Sequence, residues 1–566
     1  MTELDVSIRR WEWRFVAVVS LCVLLVTSAP YAFASLTTPP EQQFVGFILN
    51  TSDHAQYLAW YKAFQTENLT SNHQTSEPNP PLFFNLLWWA LGRFGRYTGL
   101  SYVVVYQVFR WAAGAFFLAM LYAFTALFMP SVFERRATFL LVALGSGLGW
   151  LLVVCKYAFR MADVPFPLDL YVAEGNSFLS VLGYPHFAEA AGLILAVIGL
   201  LLLGERRSQL RYAVFAGLVA FFLGWQHTYD LLIVWIVPTV YAGVLFVLTR
   251  RWPSYWFKAM VCVGLVSWPP ALYSVLLTRL DPLWKQVLAQ FANAGVYTPS
   301  PPHMLVLMGV PLLLALAQLG LFLRANWKGR HIAIWHEPDL FLGVWFVVGW
   351  ALTYMPTDFQ IHMINSWQVP VGLLAARWIF VVGAPALARR GFLRNSTLAL
   401  ALLVVVVSVP TNIYLWLWRF VDLSRYTYPY YLYRDEFTAM RWLEEAAPPG
   451  SIVLSAYDTG RYIPGISGQT AFLSHWAQTV DFYRKRDLVA QFFAEDTSDG
   501  FRQEMLREHG VGFVFFGPAE QSLGAYNPEQ AKFLTRVFSS PRVRIYQVNL
   551  EPPPTQTLLL LWRTTQ

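Results

Sequence analysis

The sequence predicts an α-helical polytopic membrane protein with about eleven transmembrane helices. Three observations lead to this fold class: the composition, a series of long apolar stretches, and basic residues that collect in alternate short loops. Hydrophobic residues make up 56% of the chain and charged residues 13%, with a mean hydropathy of +0.42. A soluble domain carries about 25% charged residues. The chain is therefore predicted to be an integral membrane protein.

The apolar stretches have the length of membrane-spanning helices, since a hydrocarbon core of about 30 Å needs about 20 residues. The first one follows basic residues as a signal peptide does, but the run at 15–34 lacks a small-residue cleavage site. We therefore expect it to be retained as the first helix. The predicted spans are 14–34, 101–128, 138–156, 187–204, 212–227, 229–249, 257–277, 303–323, 340–356, 367–387 and 396–418.

The distribution of positive charge predicts the topology. Loops rich in arginine and lysine face the cytoplasm in bacterial plasma-membrane proteins. On this rule the N-terminus is cytoplasmic, and the outer segments are 35–100, 157–186, 226–230, 278–302, 356–366 and everything after about residue 420. The net charge of +7 lies mostly in these short turns and forms no phosphate-binding stripe, so no nucleic-acid partner is expected. The cytoplasmic loops carry Arg135 and Arg136, Arg206, Arg207 and Arg211, Arg250 and Arg251, Arg324, Lys328 and Arg330, and Arg389, Arg390 and Arg394.

Two parts of the chain are predicted to lie outside the bilayer without spanning it. The segment 80–96, PPLFFNLLWWALGRFGR, is short, rich in Trp and ends in arginines, which is typical of a helix on the membrane surface. After the last span, the apolar runs at 451–456 and 511–517 alternate with helical stretches such as 436–446. This alternation predicts a small extracytoplasmic α/β domain over 421–566, after a transmembrane domain over 1–420. The apolar run at 558–562 is too short to span and is predicted to be packed or interfacial.

Several common site types have no support in the sequence. The three cysteines, Cys22, Cys155 and Cys262, each lie in an apolar stretch, where a thiol behaves as a small hydrophobe. They predict neither a disulfide framework nor a metal site. Walker, dinucleotide-binding and nucleophile-elbow motifs do not occur, so the sequence favours neither ATP-driven transport nor serine hydrolysis.

The first outer loop, 35–100, places a carboxylate beside aromatic rings. Asp53, Tyr57 and Tyr61 recur at helical spacing, and His54 follows Asp53 directly. Such a carboxylate can act as a general base toward a hydroxyl, while His54 and the two tyrosines are predicted to contact a sugar substrate. The alternative is that Ser52 or Asp53 simply caps the helix.

The second outer loop contains acidic residues and a histidine where the chain re-enters the membrane. Asp169, Glu174 and His186 are predicted substrate contacts, and Asp169 and Glu174 are also predicted ligands of a divalent cation. A solvated loop in which Asp169 is a turn residue explains the same pattern. Glu189 lies inside the following predicted span. Burial of a carboxylate there costs free energy, which indicates a functional role.

Two smaller polar groups lie at outer helix ends and are predicted to contact the substrate. His227 and Asp230 flank a tight turn between two spans, where a His–Asp pair can orient a phosphate, although a capping turn uses the same residues. Gln360 and His362 form the second group.

Together these residues resemble the GT-C superfamily of membrane glycosyltransferases. The resemblance lies in a D-x-x-x-Y sequence at Asp53 and Tyr57 on the first outer loop, followed by Pro-Pro-Leu at 80–82. The latter is similar to the K-P-P-L element of bacterial aminoarabinose and mannosyl transferases, with Asn79 in place of lysine. The segment 457–476, YDTGRYIPGISGQTAFLSHW, is similar to the post-membrane domain of oligosaccharyltransferases but lacks their W-W-D-Y-G sequence.

The resemblance implies transfer of a sugar from a polyprenyl-phosphate donor to an acceptor hydroxyl on the outer face, where the acceptor is a lipid, a glycan or a protein. It implies that Asp53 is the general base and that the reaction inverts the anomeric centre, with Mg²⁺ or Mn²⁺ as the only expected cofactor. Arg93, Arg96 and Arg110 are outer-side cations and are predicted to hold the donor phosphate, unless they only anchor the protein at the interface.

Two functions of other classes stay open at this point. A transporter or flippase of lipid-linked saccharides would contain charged or broken helices near the middle of the bilayer. Few of the predicted spans carry a charge there, which favours the transferase. A receptor whose outer domain binds a partner would carry the same outer carboxylates without using them chemically.

Overall fold

The computed structural model describes residues 8–290, 298–329, 337–390 and 395–550. Arg330, Arg394 and the apolar run at 558–562, all named in the sequence analysis, lie outside the described residues. The chain divides into two compact units. The membrane unit comprises Met1–Leu36, Val103–Leu276 and Gly295–Arg425, and the sheet unit comprises Thr37–Tyr102, Leu277–Ala294 and Tyr426–Gln566.

Twenty-four α-helices are described, together with short 3-10 turns at Leu168–Leu170, Ala173–Gly175, Thr228–Asp230, Gln360–Ile364 and Pro528–Gln530 and a π-turn at Ile379–Gly383. The α-helices are α1 (Arg10–Thr37), α2 (Thr51–Phe64), α3 (Leu86–Thr98), α4 (Tyr102–Ala126), α5 (Val132–Leu144), α6 (Gly149–Tyr157), α7 (Ser177–Gly183), α8 (Pro185–Arg207), α9 (Arg211–Gly224), α10 (Leu231–Thr249), α11 (Ser254–Leu280), α12 (Pro282–Ala289), α13 (Pro301–Gly329), α14 (Glu337–Leu352), α15 (Gln368–Trp378), α16 (Ala384–Arg389), α17 (Ser396–Ser408), α18 (Pro410–Leu423), α19 (Arg434–Ala446), α20 (Tyr457–Gly460), α21 (Ile463–Ser467), α22 (Phe482–Phe493), α23 (Asp499–Glu508) and α24 (Pro518–Gln521).

The membrane unit contains eight helices that are long and apolar enough to cross a bilayer, within the described part of the chain. The bent pair α5 and α6 makes a ninth if it is one span. The predicted spans at 212–227 and 340–356 correspond to the shorter apolar helices Arg211–Gly224 and Asp339–Leu352. Fourteen residues of α-helix extend about 21 Å, which is less than the hydrocarbon core. The chain is thus a multi-pass membrane protein, and length alone does not confirm eleven spans.

The predicted span at 138–156 is broken in the structure. Helices α5 and α6 meet at an angle of 46°. The backbone of the break packs closely on a kink in α13, where Gly309 adopts φ +65°. A Cβ on Gly147 would lie 1.8 Å from the carbonyl oxygen of Val306, and Leu148 N donates to that same oxygen over 2.7 Å. The break was not predictable from hydropathy because both halves are apolar.

The sheet unit is built around five strands in the order β4, β3, β5, β7, β6. β3 is parallel to β4 and β5, while β7 is antiparallel to β5 and β6. The apolar runs predicted as strands at 451–456 and 511–517 are present as β3 and β5, and the predicted helix at 436–446 lies within α19. The strands are β1 (Gln42–Phe44), β2 (Tyr431–Tyr433), β3 (Ile452–Leu454), β4 (Thr470–Ala471), β5 (Val511–Phe516), β6 (Leu534–Ser539) and β7 (Arg544–Val548).

The sheet unit also contains Thr37–Tyr102, most of which belongs to the predicted first outer loop. β1 from that loop pairs with β2 in antiparallel register, and His73 accepts a backbone hydrogen bond from Ala471. Residues 37–102 therefore fold together with the C-terminal segment. The division at residues 420 and 421 stays a prediction.

The helix predicted at 80–96 begins later than expected. α3 starts at Leu86, and the side chain of Asn85 caps it by accepting from Trp88 N over 3.2 Å. The residues before the helix are held extended, because Phe83 and Thr70 exchange two backbone hydrogen bonds of 3.0 Å. The prediction was correct for the helix and wrong by six residues for its start.

Candidate functional site

Asp53 lies in the first turn of α2, inside the helix. The N-cap residue is Asn50, which adopts a left-handed conformation with φ 35°, a geometry that asparagine tolerates better than most residues. The alternative prediction that Ser52 or Asp53 caps the helix is therefore wrong. The predicted helical spacing of Asp53, Tyr57 and Tyr61 is confirmed, since all three lie on α2.

Both oxygens of the Asp53 carboxylate are held by hydrogen bonds. Asn50 Nδ2 donates to Oδ2 over 2.5 Å, and Nε2 of His475 lies 2.9 Å from Oδ1. The His475 side chain is 2% exposed, whereas 28% of the Asp53 side chain is exposed. The carboxylate is thus fixed on one side by a buried ring and reachable on the other.

This environment keeps Asp53 ionised at neutral pH. Burial alone would raise the pKa of the carboxyl, but the hydrogen bond from His475, the charge of nearby His54 and the hydrogen bond from Asn50 outweigh it. The pKa of Asp53 therefore lies below its ordinary value. A carboxylate in this state is able to accept a proton.

The start of α2 makes further contacts with the segment 457–476. Tyr457 Oη and Ser52 Oγ are 2.8 Å apart, and Arg461 Nη1 donates to Thr51 Oγ1 over 3.1 Å. The guanidinium of Arg461 also stacks on the Tyr457 ring, 4.5 Å from its centroid. His475, Tyr457 and Arg461 were missed by the sequence analysis. The signal was present, because this segment is the one noted for its similarity to oligosaccharyltransferases.

The predicted aromatic contacts on α2 are mostly engaged with other rings. Tyr57 stacks on Trp88 with 4.6 Å between centroids, and His54 stacks on Phe47 at 5.2 Å. Tyr61 is 3% exposed, and a Cβ on Gly95 would lie 1.8 Å from its hydroxyl. Tyr61 therefore offers little surface to a ligand, and Tyr57 is the more accessible of the two.

Two of the three predicted phosphate-binding arginines lie on α3 and contact the end of α2. Arg93 donates to the carbonyl oxygens of Gln65, Thr66 and Glu67 over 2.9 to 3.3 Å. These carbonyls follow the last turn of α2 and lack helical partners of their own. Arg96 is exposed and makes one such bond, to Gln65 over 3.2 Å.

The third arginine, Arg110 on α4, is fully buried in the membrane unit. Its guanidinium donates to Gln107 Oε1 over 2.8 Å and to Thr27 Oγ1 over 2.9 Å, and it stacks on the Tyr31 ring. Ser28 accepts a further bond over 2.5 Å. These partners are neutral, and no ion pair of Arg110 occurs among the described residues.

A second polar site lies within the membrane unit, where three predicted groups come together. We call it the histidine cluster and define it as Glu174, His186, His227, Asp230 and His362. His362 Nδ1 and Glu174 Oε1 are 2.5 Å apart, and the rings of His186 and His227 lie 5.4 Å apart. The sequence analysis named all five residues without predicting that they meet. Gln360 begins the same short turn as His362.

His227 is oriented by its neighbours in the histidine cluster. Its Nδ1 lies 3.1 Å from Tyr229 Oη and 3.3 Å from Asp230 Oδ2. Asn365 donates to the same Asp230 oxygen over 2.9 Å, and the Tyr229 ring stacks on His362. Nε2 of His227 has no hydrogen-bond partner in the described part of the chain, so it remains available to a ligand.

Asp169 stands apart from the histidine cluster in its contacts. Its carboxylate accepts from Ser146 Oγ over 3.2 Å and from Gly149 N, the start of α6, over 3.1 Å. Burial raises the pKa of Asp169 to about 6, although these hydrogen bonds oppose the rise. Asp169 thus holds the break between α5 and α6.

The predicted divalent cation does not fit the residues present. The described segments contain no group of three or more His, Cys, Asp or Glu side chains that is arranged to hold a metal ion. Asp169 and Glu174, the predicted ligands, bond to different partners. The cation stays a prediction, and the proposed reaction does not depend on it.

Comparisons with known proteins identify the fold. No protein-family model matches the sequence, and no curated protein matches it. Among solved structures, the archaeal oligosaccharyltransferase AglB from Archaeoglobus fulgidus, bound to an inhibitory peptide and a dolichol-phosphate, is 12% identical with a TM-score of 0.54. The alignment covers 90% of this chain and 70% of that one. The same Archaeoglobus enzyme with Zn and sulfate gives 13% identity, a TM-score of 0.52, and coverage of 94% and 73%.

ArnT from Cupriavidus metallidurans bound to undecaprenyl phosphate is also similar, with 12% identity, a TM-score of 0.47, and coverage of 94% of this chain and 97% of that one. The archaeal oligosaccharyltransferase is a glycosyltransferase of the GT-C type. The chain has the GT-C membrane fold, as the resemblance implied. Likeness at this identity establishes the fold alone.

Proposed function

We propose that this chain is a glycosyltransferase that moves a sugar from a polyprenyl-phosphate-linked donor to an acceptor hydroxyl on the outer face of the plasma membrane. The observation that carries the proposal is the Asp53 carboxylate, ionised, partly exposed and held on both oxygens. The GT-C fold and the apolar helices support it, because a lipid-linked donor has to be met at a membrane surface. The eleven spans, with the N-terminus cytoplasmic and residues 421–566 outside, belong to this proposal.

The proposed reaction uses Asp53 as general base. The carboxylate takes the proton of the acceptor hydroxyl while the acceptor oxygen forms a bond to the anomeric carbon. The bond between that carbon and the phosphate oxygen breaks, and the polyprenyl phosphate leaves with the electron pair. Attack opposite the leaving group inverts the anomeric centre. Each carboxylate oxygen of Asp53 has two lone pairs, so one protein donor on each leaves capacity for the substrate.

The histidine cluster is proposed to bind the polar part of the donor. His227 is the main contact, because its Nδ1 faces Asp230 and its Nε2 is available. An imidazole that carries both ring protons can hold Nδ1–H on the carboxylate and donate Nε2–H to a phosphate oxygen, and such a bond strengthens as charge develops on the leaving group. His362 with Glu174 is a second histidine–carboxylate pair.

Which arginine can bind the donor phosphate depends on how many of its guanidinium N–H groups already donate within the protein. Arg93 uses its guanidinium on the carbonyls that follow α2, and Arg110 is enclosed by neutral side chains. Arg96 is exposed and uses one bond. We therefore propose that Arg96 contacts the donor phosphate. Arg93 and Arg110 are proposed to hold neighbouring segments of the protein in place instead.

The test is transfer of radiolabelled sugar from a panel of polyprenyl-phosphate sugars by the purified protein in liposomes. The variant Asp53→Asn is compared with Asp487→Asn, a matched control on an aspartate whose side chain is 76% exposed. We expect at least one donor to be used, with a loss of about 10²- to 10⁴-fold in Asp53→Asn and none in the control. Equal rates in all three proteins would remove Asp53 as the base.

A second candidate function is translocation of a lipid-linked saccharide, and the break between α5 and α6 favours it. Broken helices and buried charges are typical of transporters, and Asp169 lies at this break. Movement of a fluorescent lipid-linked sugar across protein-containing liposomes, measured without any acceptor, would support this function. No movement above that of protein-free liposomes would exclude it.

A further inference from the structure

We propose that His475 is the positioning residue of Asp53, holding the carboxylate in one orientation through a single donated hydrogen bond. The inference rests on the proposed role of Asp53 as general base and extends it to a residue in the C-terminal segment. His475 does not touch the reacting atoms. It acts through Asp53.

The direction of the hydrogen bond follows from the other ring nitrogen. Nδ1 of His475 lies 3.1 Å from the backbone nitrogen of Ala477, which can only donate. Nδ1 therefore accepts and carries no proton, so the proton of the neutral ring is on Nε2. Nε2–H then donates to Asp53 Oδ1 over 2.9 Å. The pair is a neutral imidazole donating to a carboxylate.

The turn around His475 prevents the ring from swinging away. Thr479 N donates to the His475 carbonyl over 2.9 Å, and Thr479 Oγ1 accepts from Ser474 N over 2.9 Å. Thr479 Oγ1 in turn donates to Gln74 O over 2.7 Å. The Trp476 ring packs on the imidazole with 4.8 Å between centroids. A side chain held in this way orients its partner with little loss of entropy.

Asn50 completes the arrangement from the opposite oxygen. It donates to Oδ2 of Asp53 over 2.5 Å, so the two donors together fix the plane of the carboxylate. The lone pairs that remain then point in defined directions for an acceptor hydroxyl. Without His475 no protein donor holds Oδ1, and the hydrogen bond that most opposes the effect of burial on the pKa of the carboxyl is lost.

Several other ionisable groups surround the pair, and the test has to allow for them. His54 follows Asp53 on α2 and contributes charge that favours the carboxylate. Tyr457 and Arg461 contact Ser52 and Thr51, and Arg461 is paired with Asp458. Because all of these stay in place when only position 475 changes, a shift in that variant is attributable to His475.

The experiment compares four variants in the full-length protein. His475→Leu and His475→Phe remove the donor, and the phenyl ring keeps the packing against Trp476. His475→Gln keeps an amide N–H able to reach Asp53. His509→Leu is the matched control, because His509 lies in the same unit and packs on Phe472. Thermal unfolding identifies the variants that are folded, and either donor-free variant suffices for the comparison.

Two readouts are used, and one of them needs no activity. Carbodiimide with an amine labels protonated carboxyls, and mass spectrometry follows labelling of Asp53 from pH 2.5 to 6. We expect the labelling midpoint to rise by about 1 to 2 pH units in the donor-free variants and to stay at the wild-type position in His475→Gln and His509→Leu. Transfer kinetics should show kcat reduced about 10-fold at pH 6, with the donor KM within about twofold.

The outcomes separate this inference from the proposed function. An unchanged labelling midpoint in the donor-free variants overturns the positioning role, whatever the activity. The positioning role is also overturned if His475→Gln behaves like the donor-free variants, since the donated bond would then not matter. A raised midpoint together with no sugar transfer by the wild type supports the role of His475 toward Asp53 while removing the proposed reaction.

Discussion

Nε2 of His475 lies 2.9 Å from Oδ1 of Asp53, although 422 positions separate the two residues in the chain. The contact joins the predicted first outer loop to the C-terminal segment within the sheet unit. This contact gives the Asp53 carboxylate a defined protonation state and a defined orientation. The proposed role of Asp53 as general base depends on this relationship.

Arg93 and Arg96 are expected to behave differently although they are one helical turn apart on α3. Arg93→Gln removes bonds to the carbonyls that follow α2 and should lower the unfolding free energy by about 1 to 2 kcal/mol, leaving the donor KM unchanged. Arg96→Gln should leave the melting temperature unchanged and raise the donor KM about 10-fold. Thermal unfolding and steady-state kinetics on the same preparations measure both. The reverse pattern would show that Arg93 holds the phosphate.

The histidine cluster is tested by a double-mutant cycle between His227 and Asp230. If Asp230 acts by supporting His227, each single variant, His227→Gln or Asp230→Asn, should raise the donor KM about 10-fold. The double variant should then cost little more than either single change, because both remove the same interaction. Strictly additive losses would show that the two side chains act independently, and unchanged donor binding in every variant would remove the cluster from the donor site.

Glu436 on α19 should make the stability of the protein depend on pH. It is 3% exposed, and burial raises its pKa to about 7 even though the backbone of Tyr433 donates to it over 2.7 Å. Because the folded pKa exceeds the unfolded value of 4.5, the folded state binds the proton more tightly. This contribution is full below about pH 4.5 and is lost as the pH rises to about 7.

As the pH rises, the contribution of Glu436 to the free energy of unfolding falls by about 3 kcal/mol. Glu436→Gln stays neutral and should lack this dependence. The melting temperature of the wild type, relative to the variant, should therefore be higher at pH 5 than at pH 8. A difference that does not change between these pH values would show that Glu436 titrates normally in the folded protein.

The sequence predicted those features that depend on local pattern. Helix α2 followed from the spacing of Asp53 and Tyr57, and strands β3 and β5 followed from short apolar runs. The membrane class followed from composition. These signals are local because a helix or strand needs only its own residues to show its period. The break between α5 and α6 was not predicted, because it depends on the close approach of Gly147 to Gly309, which are far apart in the sequence.

The site was predicted only in part, because contacts between distant segments of the chain leave no local pattern in the sequence. Asp53 was identified because it lies beside aromatic residues at helical spacing, but His475 had no local feature that tied it to Asp53. The sequence named the five members of the histidine cluster on separate loops, and only packing shows that they meet. Arg93 was interpreted from its charge, whereas its function depends on carbonyl groups at the end of another helix.

The most direct test of the proposed function is a single-turnover reaction with purified protein, a polyprenyl-phosphate sugar and an acceptor, in which both products are counted. We predict that the wild type releases one polyprenyl phosphate for each sugar transferred, with inverted anomeric configuration. Asp53→Asn should remain folded and form both products about 10²- to 10⁴-fold more slowly. Transfer by Asp53→Asn at the wild-type rate, or a product with retained configuration, would contradict the central claim that Asp53 is the general base of an inverting transferase.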